Sequence, residues 1–276
     1  MRIIKLALFL VCFFSIARFV RGQTDGFTWA KVRSELPFHP EWAVDSSVPQ
    51  IFDQKFHYLG KGAQSFVFAS QDGKYVLKFF RHHHMRAPWI IRSLPFAWAQ
   101  AKAQKKESKL KKDFLSYTIA FREMPEETGI IYLHLNKTDH LKKKVTFVDK
   151  LGTFHEVDLD GMEFMVQKRA TLLYPSIAQL MEKGETEKAK GAIADLLELL
   201  QKRMRKGIFD KDPDLNTNFG YVGGKPIQID VGRFRYDRDR PFSKDEIIRI
   251  TDHFHQWLMI QYPVLDDYLR ERLNEI

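Results

Sequence analysis

The side chains best suited to chemistry are Asn218 and Asp230, which bracket a short apolar hairpin in the segment 207–234. Two strand-like runs are joined there by a turn that begins at Gly223, and Gly-Gly between such runs is typical of a β-hairpin. Asn218 comes directly before the first run, and Asp230 follows the second. A carboxamide and a carboxylate at the two ends of a tight hairpin can converge on one hard cation.

Acidic residues cluster directly before this hairpin, at Asp210, Asp212 and Asp214. Such a cluster is often an ordinary solvated loop in which aspartates form Asx turns. Taken alone, the cluster favours that interpretation. Together with Asn218 and Asp230 nearby in the chain, it favours an active site.

A second motif stands near the start of a strand-rich region. Gly60 and Gly62 interrupt two alternating runs, and Lys78 lies inside the apolar run that follows. Glycines let a backbone approach a ligand closely, and exposed amides can hold phosphate oxygens. A lysine within an apolar strand either pairs with an anion or extends its ammonium group to solvent.

Hydrophobic periodicity divides the chain into a strand-rich half and a helix-rich half. Three successive antiparallel strands are predicted between residues 55 and 80, because Asp72-Gly73 between alternating runs indicates a hairpin. A long helix to about Met124 and further strands follow, at 129–135, 144–149, 153–159 and 162–167. The later segments predict helices at 176–183, 187–206 and 243–262, with a last helix after Pro263. Segregated strands and helices predict the α+β class.

Taken in chain order, these motifs resemble the protein-kinase-like fold. Gly60 and Gly62 match the glycine-rich loop, and Lys78 matches the strand lysine. Asn218 matches the catalytic-loop asparagine, and Asp230-Val231-Gly232 matches the Asp-Phe-Gly-type motif. The resemblance covers about residues 51–235. It implies two lobes, a β-rich N-lobe at 51–167 and a small α-rich C-lobe at 168–276.

The resemblance also implies cofactors and roles. Gly60 and Gly62 would cover the phosphates of ATP, and Lys78 would bind its α- and β-phosphates. Asn218 and Asp230 would hold Mg²⁺. Backbone groups of residues 165–169 would meet adenine, and a catalytic aspartate would accept the hydroxyl proton of the substrate.

The sequence departs from the family in several places. In the family, the catalytic aspartate lies five positions before the asparagine. Here the residue five positions before Asn218 is Pro213. We favour Asp212 as the base, because it follows Lys211 where the family has an arginine; Asp214 is the alternative. The acid that would pair with the strand lysine is open between Asp113 and Glu107 on the long helix, with Glu123 less favoured. The third loop glycine is replaced by Ser65, and no Ala-Pro-Glu element follows.

These departures favour an atypical kinase-like phosphotransferase, which would transfer the γ-phosphate of ATP to a hydroxyl of an unknown protein or small molecule. The alternative is an inactive pseudokinase that serves as a nucleotide-binding or scaffold module at the cell envelope.

The chain begins with a basic and apolar segment, residues 1–22, that is typical of a signal peptide. Its apolar run, 6–17, is short for a bilayer span of about 20 residues. Cleavage before Gln23 is therefore preferred, with an uncleaved membrane anchor as the alternative. We expect an exported protein, either in a bacterial envelope or secreted. The next segment, 23–50, has no clean period and predicts an irregular extension packed on the domain.

The chain is basic, with a formal net charge of +9, and it contains no nucleic-acid-binding motif that we recognise. Residues 81–112 combine three adjacent histidines, many lysines and a run from Pro88 to Trp98 rich in tryptophan and isoleucine. We expect this run to pack against its own domain, with contact to an anionic membrane surface as the alternative. Adjacent histidines do not project to one point, so no metal site is predicted there.

Overall fold

A computed structural model describes residues 2–44 and 47–276. Contacts divide the chain into two compact units, each assembled from two segments. The first comprises Met1–Leu110 and His134–Val166, and the second comprises Lys111–Leu133 and Gln167–Ile276. The lobe boundaries at 51–167 and 168–276 stay predictions.

The described residues form twelve strands. They are β1 (Phe56–Lys61), β2 (Ser65–Ser70), β3 (Tyr75–Phe80), β4 (Ile130–His134), β5 (Lys144–Val148), β6 (Phe154–Asp158), β7 (Phe164–Lys168), β8 (Thr171–Leu172), β9 (Ile208–Asp210), β10 (Phe219–Val222), β11 (Lys225–Gln228) and β12 (Phe234–Tyr236).

Ten α-helices accompany them in the described part of the chain. They are α1 (Arg2–Gln23), α2 (Trp29–Val32), α3 (His82–Met85), α4 (Trp89–Ser93), α5 (Ala97–Glu123), α6 (Pro125–Thr128), α7 (Leu173–Glu182), α8 (Thr186–Arg205), α9 (Lys244–Gln261) and α10 (Pro263–Glu275).

Seven strands form a mixed sheet in the order β4-β7-β3-β2-β1-β5-β6. As predicted, β1, β2 and β3 are successive antiparallel neighbours. Gly73 takes a positive φ of 72° in the turn between β2 and β3, which is the reason for glycine at that position. The hairpin of β5 and β6 turns at Gly152, with φ of 82°, and β5 runs parallel to β1.

An aromatic core fills one face of this sheet in the first unit. Phe68, Phe79 and Phe147 contact one another edge to face, with ring centroids 5.1–5.9 Å apart. Phe27 adds to them from the segment after α1, with its ring 5.1 Å from that of Phe66. Because aromatic rings remove a large apolar area from water, this contact ties the extension to the sheet.

The second unit has its own core, built from helices α7 to α10. Ile193, Leu196 and Leu200 on α8 are buried, in the stripe that the 3.6-residue period predicts. Gly207 ends α8 with φ of 64°, and the hydroxyl of Ser243 accepts a hydrogen bond from the amide of Glu246 at the start of α9.

Two local predictions are wrong in detail. The hairpin turn, which the sequence predicts over residues 223–226, is the two-residue Gly223–Gly224 loop, because Lys225 and Pro226 belong to β11. Helix α7 begins at Leu173, three residues before the predicted start at residue 176. The pairing of β9 with β12 was not predicted, because strands of three residues carry too little periodicity to be recognised.

Within the described residues, no helix combines the length and the apolar character needed to cross a membrane.

Candidate functional site

The hairpin of β10 and β11 brings Asn218 and Asp230 to one point in the second unit. Its two glycines have φ of 58° and 82°, the left-handed values that a two-residue turn of this kind requires. At its open end, the carbonyl of Asn218 accepts hydrogen bonds from the amide of Ile229 at 2.7 Å and from that of Asp230 at 3.4 Å. The two predicted metal ligands therefore extend from neighbouring backbone positions.

The side chains of this pair differ in burial and in partners. Asn218 is buried, and its Nδ2 donates to the carbonyl of Asp212 at 2.7 Å. Its Oδ1 lies 3.1 Å from the Thr217 hydroxyl, which shares its one proton between this oxygen and Asp214 Oδ2. Those bonds orient the carboxamide and leave a second lone pair on Oδ1. Asp230 is exposed, and its Oδ1 accepts from the amide of Gly232 at 3.2 Å. An amide oxygen beside a carboxylate is a donor set that Mg²⁺ accepts, together with phosphate oxygens and water.

A buried polar network of Gln228, Asp210 and Arg203 supports this turn. The Nε2 of Gln228 donates to Asp210 Oδ2 at 2.5 Å and to the carbonyl of Asp230 at 3.3 Å. Arg203 in turn donates to Gln228 Oε1 at 2.6 Å and lies 3.6 Å from Asp210 Oδ2. Burial raises the pKa of Asp210, although the charge of Arg203 acts in the opposite direction. Through this network, α8 and β9 hold the backbone on which Asp230 stands.

A serine on α5 holds the backbone that follows Asp230. The hydroxyl of Ser116 donates to the carbonyl of Val231 and accepts from the amide of Phe234 at 2.5 Å. Tyr117, the next residue, is buried, and its pKa is raised well above the usual value by burial and by the charges of Asp230 and Asp113. Its phenol therefore stays neutral beside Asp230.

The two candidate bases occupy different environments. The carboxylate of Asp214 accepts from the amide of Asn216 and from the Thr217 hydroxyl, both at 2.9 Å, and so closes the turn before β10. Asp212 is exposed; its amide donates to Asp210 Oδ1 at 3.0 Å and its carbonyl accepts from Asn218. Backbone bonds on both sides thus fix the position of Asp212, while its carboxylate faces solvent.

In the first unit, Gly60 and Lys78 lie on one row of the sheet. Gly60 of β1 pairs with Val67 of β2, and Val67 pairs with Lys78 of β3. Neighbouring strands are about 4.8 Å apart, so the backbones of Gly60 and Lys78 are separated by roughly 10 Å. All three residues are half-exposed, on the face opposite the aromatic core. Gly62 closes the loop, since its amide donates to the carbonyl of Ser65 at 2.8 Å.

The acids considered for the strand lysine have distinct surroundings. Asp113 is buried on α5, whereas Glu107 is exposed. The carboxylate of Glu123 accepts from the Tyr236 hydroxyl at 2.7 Å. Residues 165–168 belong to β7, where the Nε2 of Gln167 donates to the carbonyl of Thr128 at 2.6 Å.

Sequence reasoning missed the supporting residues Arg203, Gln228 and Ser116. Gln228 did carry a signal, because it is a polar residue between two isoleucines in a strand. Arg203 carried a similar one, since it lies three residues after Leu200 on the buried stripe of α8. A buried polar residue on an apolar face needs a partner, and the spacing alone does not reveal which one.

In the part of the chain that the structure describes, no three His, Cys, Asp or Glu residues are grouped so that they could hold a metal ion.

The observed order of strands and helices can be compared with the order that the sequence predicts. The elements follow in the expected order. A glycine loop lies between β1 and β2, a lysine lies on β3, and a long helix comes next. A helix-rich unit then follows, and its hairpin carries Asn218 and Asp230. The fold is α+β, and its order of elements resembles that of the protein-kinase-like fold.

No protein-family profile matches the chain, and no curated protein sequence matches it. Solved structures do. The bifunctional kinase-methyltransferase WbdD is 13% identical, with 80% of this chain and 46% of that chain covered and a TM-score of 0.40. Rv3197 from Mycobacterium tuberculosis, solved with erythromycin, is 14% identical, with 80% and 55% covered and a TM-score of 0.35. This chain thus spans about half the length of these structures.

Proposed function

We propose that this chain is an atypical kinase-like phosphotransferase that transfers the γ-phosphate of ATP to a hydroxyl of a protein or small-molecule substrate. The observation that carries the proposal is the shared backbone frame of Asn218 and Asp230. An exposed carboxylate and an oriented carboxamide extend from adjoining positions in a turn that α5, α8 and β9 all brace. Such bracing is what a metal site needs if its ligands are to keep their geometry.

In this proposal, Asn218 and Asp230 hold Mg²⁺ in the second unit. The bound ion would neutralise charge on the β- and γ-phosphates during transfer. Gln228 keeps the backbone of Asp230 in place, and Ser116 does the same for Val231. The protein's own contribution to rate is therefore the orientation of the two oxygen ligands.

The first unit would supply the phosphate contacts that the family resemblance implies. Gly60 and Gly62 offer an approachable backbone, and Lys78 provides a cation on the same face of the sheet. We assign to Lys78 the α- and β-phosphates of the nucleotide.

Asp212 is proposed as the general base. Its backbone is fixed by Asp210 and by Asn218, and its carboxylate is exposed, so it can accept a proton from a substrate hydroxyl. The engagement of the Asp214 carboxylate by Asn216 and Thr217 supports this choice.

The alternative proposal is an inactive pseudokinase that acts as a nucleotide-binding or scaffold module at the cell envelope. One observation favours it. Asp212 stands one residue farther from Asn218 than the catalytic aspartate of the family does, with Pro213 at the expected position.

We further propose export of the chain, because of its apolar and basic start.

Thermal unfolding of the full chain with ATP, in the presence and absence of Mg²⁺, tests the nucleotide site. A ligand that binds only the folded state at 100 times its Kd adds about 2.7 kcal/mol of stability. We expect ATP with Mg²⁺ to raise the unfolding midpoint by several degrees, and Asp230→Asn to remove the part of the shift that depends on Mg²⁺.

Asp239→Asn is the matched control, since it makes the same chemical change at an exposed aspartate nine residues farther along the chain. It should keep the full shift. A wild-type protein whose midpoint responds to neither ATP nor Mg²⁺ contradicts both the phosphotransferase and the nucleotide-binding module. A shift that Asp230→Asn leaves unchanged contradicts the metal assignment.

A further inference from the structure

One stretch of the first unit carries only positive charge. From Gly73 to Lys106 the sequence contains no Asp or Glu, whereas Arg86, Arg92, Lys102 and Lys105 all lie within it. Three of these four are exposed, and Arg86 is half-buried. A one-signed surface of this kind attracts anions over distances of about a Debye length.

The same stretch exposes large apolar side chains. Trp89, Phe96 and Trp98 are 69%, 55% and 58% exposed, and Ile90 lies beside them on α4 with 54% exposed. The rings of Phe96 and Trp98 stack nearly parallel, with centroids 6.3 Å apart. The expectation that this run packs against its own domain is therefore wrong. Clustered aromatic residues at the surface mark a site of interaction, and single ones do not.

Cations also gather around α3, within the same stretch: Arg81 Nη2 lies 2.6 Å from His84 Nε2, and Lys106 donates to the carbonyl of His84. Burial and then the charges of Arg81, Lys106 and Arg21 lower the pKa of His84. Burial and neighbouring cations also lower the pKa of His83, to about 4. The imidazoles of His83 and His84 are therefore neutral at pH 7, and the positive charge around α3 comes from lysine and arginine side chains that repel one another. Cations placed this close favour an anionic partner that relieves the repulsion.

Exposed tryptophans and cations thus belong to the same stretch of the first unit. We define the docking surface as residues 86–106 together with the basic residues around α3.

We propose that the docking surface binds an anionic lipid bilayer, with Trp89 and Trp98 at the level of the headgroups and the cations against the lipid phosphates. Tryptophan prefers the membrane–water interface because its ring is apolar and its N–H is polar. Each lysine or arginine near an anionic leaflet strengthens binding roughly fivefold. A protein partner would instead be recognised without vesicles, so the experiments below separate the two.

Fluorescence quenching by brominated lipids tests the position of the tryptophans. The chain contains five tryptophans, and Trp29, Trp42 and Trp257 are buried or half-buried. We expect vesicles of brominated phosphatidylglycerol to quench the emission of the full chain. Trp89→Phe with Trp98→Phe keeps the aromatic surface but removes the two reporters, so most of the quenchable emission should disappear.

Trp257→Phe is the matched control, because it removes a tryptophan of the second unit and should leave the quenchable emission in place. Vesicles of brominated phosphatidylcholine should quench much less, since they carry no net charge. Emission that brominated phosphatidylglycerol does not quench, or quenching that survives in the double variant, overturns the proposal. Equal quenching by both lipids overturns its electrostatic part.

A charge reversal tests the cations separately. Arg92→Glu removes one positive and adds one negative charge at an exposed position of the surface, and it should weaken partition to anionic vesicles on the order of tenfold. Lys188→Glu makes the same charge change at an exposed position in the first turn of α8, where a carboxylate is tolerated. Equal weakening by both variants would mean that only net charge matters and would contradict a defined surface. All these outcomes are independent of nucleotide binding.

Discussion

The amide of Asp230 donates to the backbone carbonyl of Asn218 at 3.4 Å, beside the shorter bond from Ile229 at 2.7 Å. The two proposed metal ligands are thus linked through their main chains, and this link uses no side-chain atom. Substitution of the Asp230 side chain leaves this main-chain bond in place, whereas the Asn218 side chain also holds the Asp212 carbonyl. Asp230 is therefore the position at which changes in metal binding can be separated from changes in folding.

Asp212 and Asp214 can be distinguished as bases by conservative substitution. Asp212→Asn should reduce transfer of the label from γ-labelled ATP, to water or to an acceptor hydroxyl, by about 100-fold or more, because a general base contributes factors of that size, while nucleotide binding is kept. Asp214→Asn should keep activity within a few-fold and lose about 1 kcal/mol of stability, since its carboxylate closes a turn. The reverse pattern would assign the base to Asp214. A wild-type chain that binds ATP and releases no phosphate would favour the pseudokinase.

The buried pair of Arg203 and Asp210 should be strongly coupled. Arg203→Met leaves the carboxylate of Asp210 buried without its cation, and removal of one partner of such a pair typically costs 3–5 kcal/mol. Arg203→Met combined with Asp210→Asn should recover part of that loss, and urea unfolding of the single and double variants measures the coupling. Additive losses would show that the two side chains act independently.

Gly220 lies where a side chain cannot fit. A Cβ at this position would stand 2.4 Å from the carbonyl oxygen of Thr171 and 2.9 Å from the Cβ of Ala170, across the pairing of β10 with β8. Gly220→Ala should therefore destabilise the chain by about 1–3 kcal/mol, because backbone atoms must move. Gly191→Ala adds the same methyl group in an exposed part of α8 with nothing within 4 Å, and should stabilise by about 0.5–1 kcal/mol. Chemical denaturation compares the two, and a loss of equal size in both would contradict the steric explanation.

Glu163 should make the stability of the chain depend on pH. Burial acts to raise its pKa, but His82 at 3.1 Å and the Ser34 hydroxyl at 2.5 Å outweigh burial and hold the pKa below its usual value. A carboxyl group with a lowered pKa stabilises the folded state above its unfolded pKa of about 4.3, and this contribution is lost as pH falls through the folded pKa. Glu163→Gln should thus be less stable than wild type at pH 7, with a difference that shrinks below about pH 4.

Glu35→Gln, at an exposed carboxylate of the same first unit, is the control and should change the unfolding free energy by less than about 0.5 kcal/mol. Thermal or urea unfolding between pH 3 and pH 7 gives both comparisons. A difference between wild type and Glu163→Gln that stays constant over this range would show that the carboxylate does not titrate differently in the folded state.

Much of the local structure was predictable because it follows from short-range rules. The antiparallel order of β1 to β3 follows from alternation and from Asp72-Gly73. The ends of α8 and α9 follow from Gly207 and Ser243. The candidate ligands Asn218 and Asp230 were also found from the sequence, since a tight hairpin places residues at its two ends together whatever surrounds it.

The sequence by itself determined the order of elements, the turns and the pair of oxygen ligands, because each depends on residues close together in the chain. Only the tertiary structure decided that Arg203 and Ser116 brace the turn after Asp230, since Ser116 meets Val231 across 115 positions of sequence. It also decided that Trp89 and Trp98 stay exposed, because burial depends on whether another element covers a surface, and no periodicity records that.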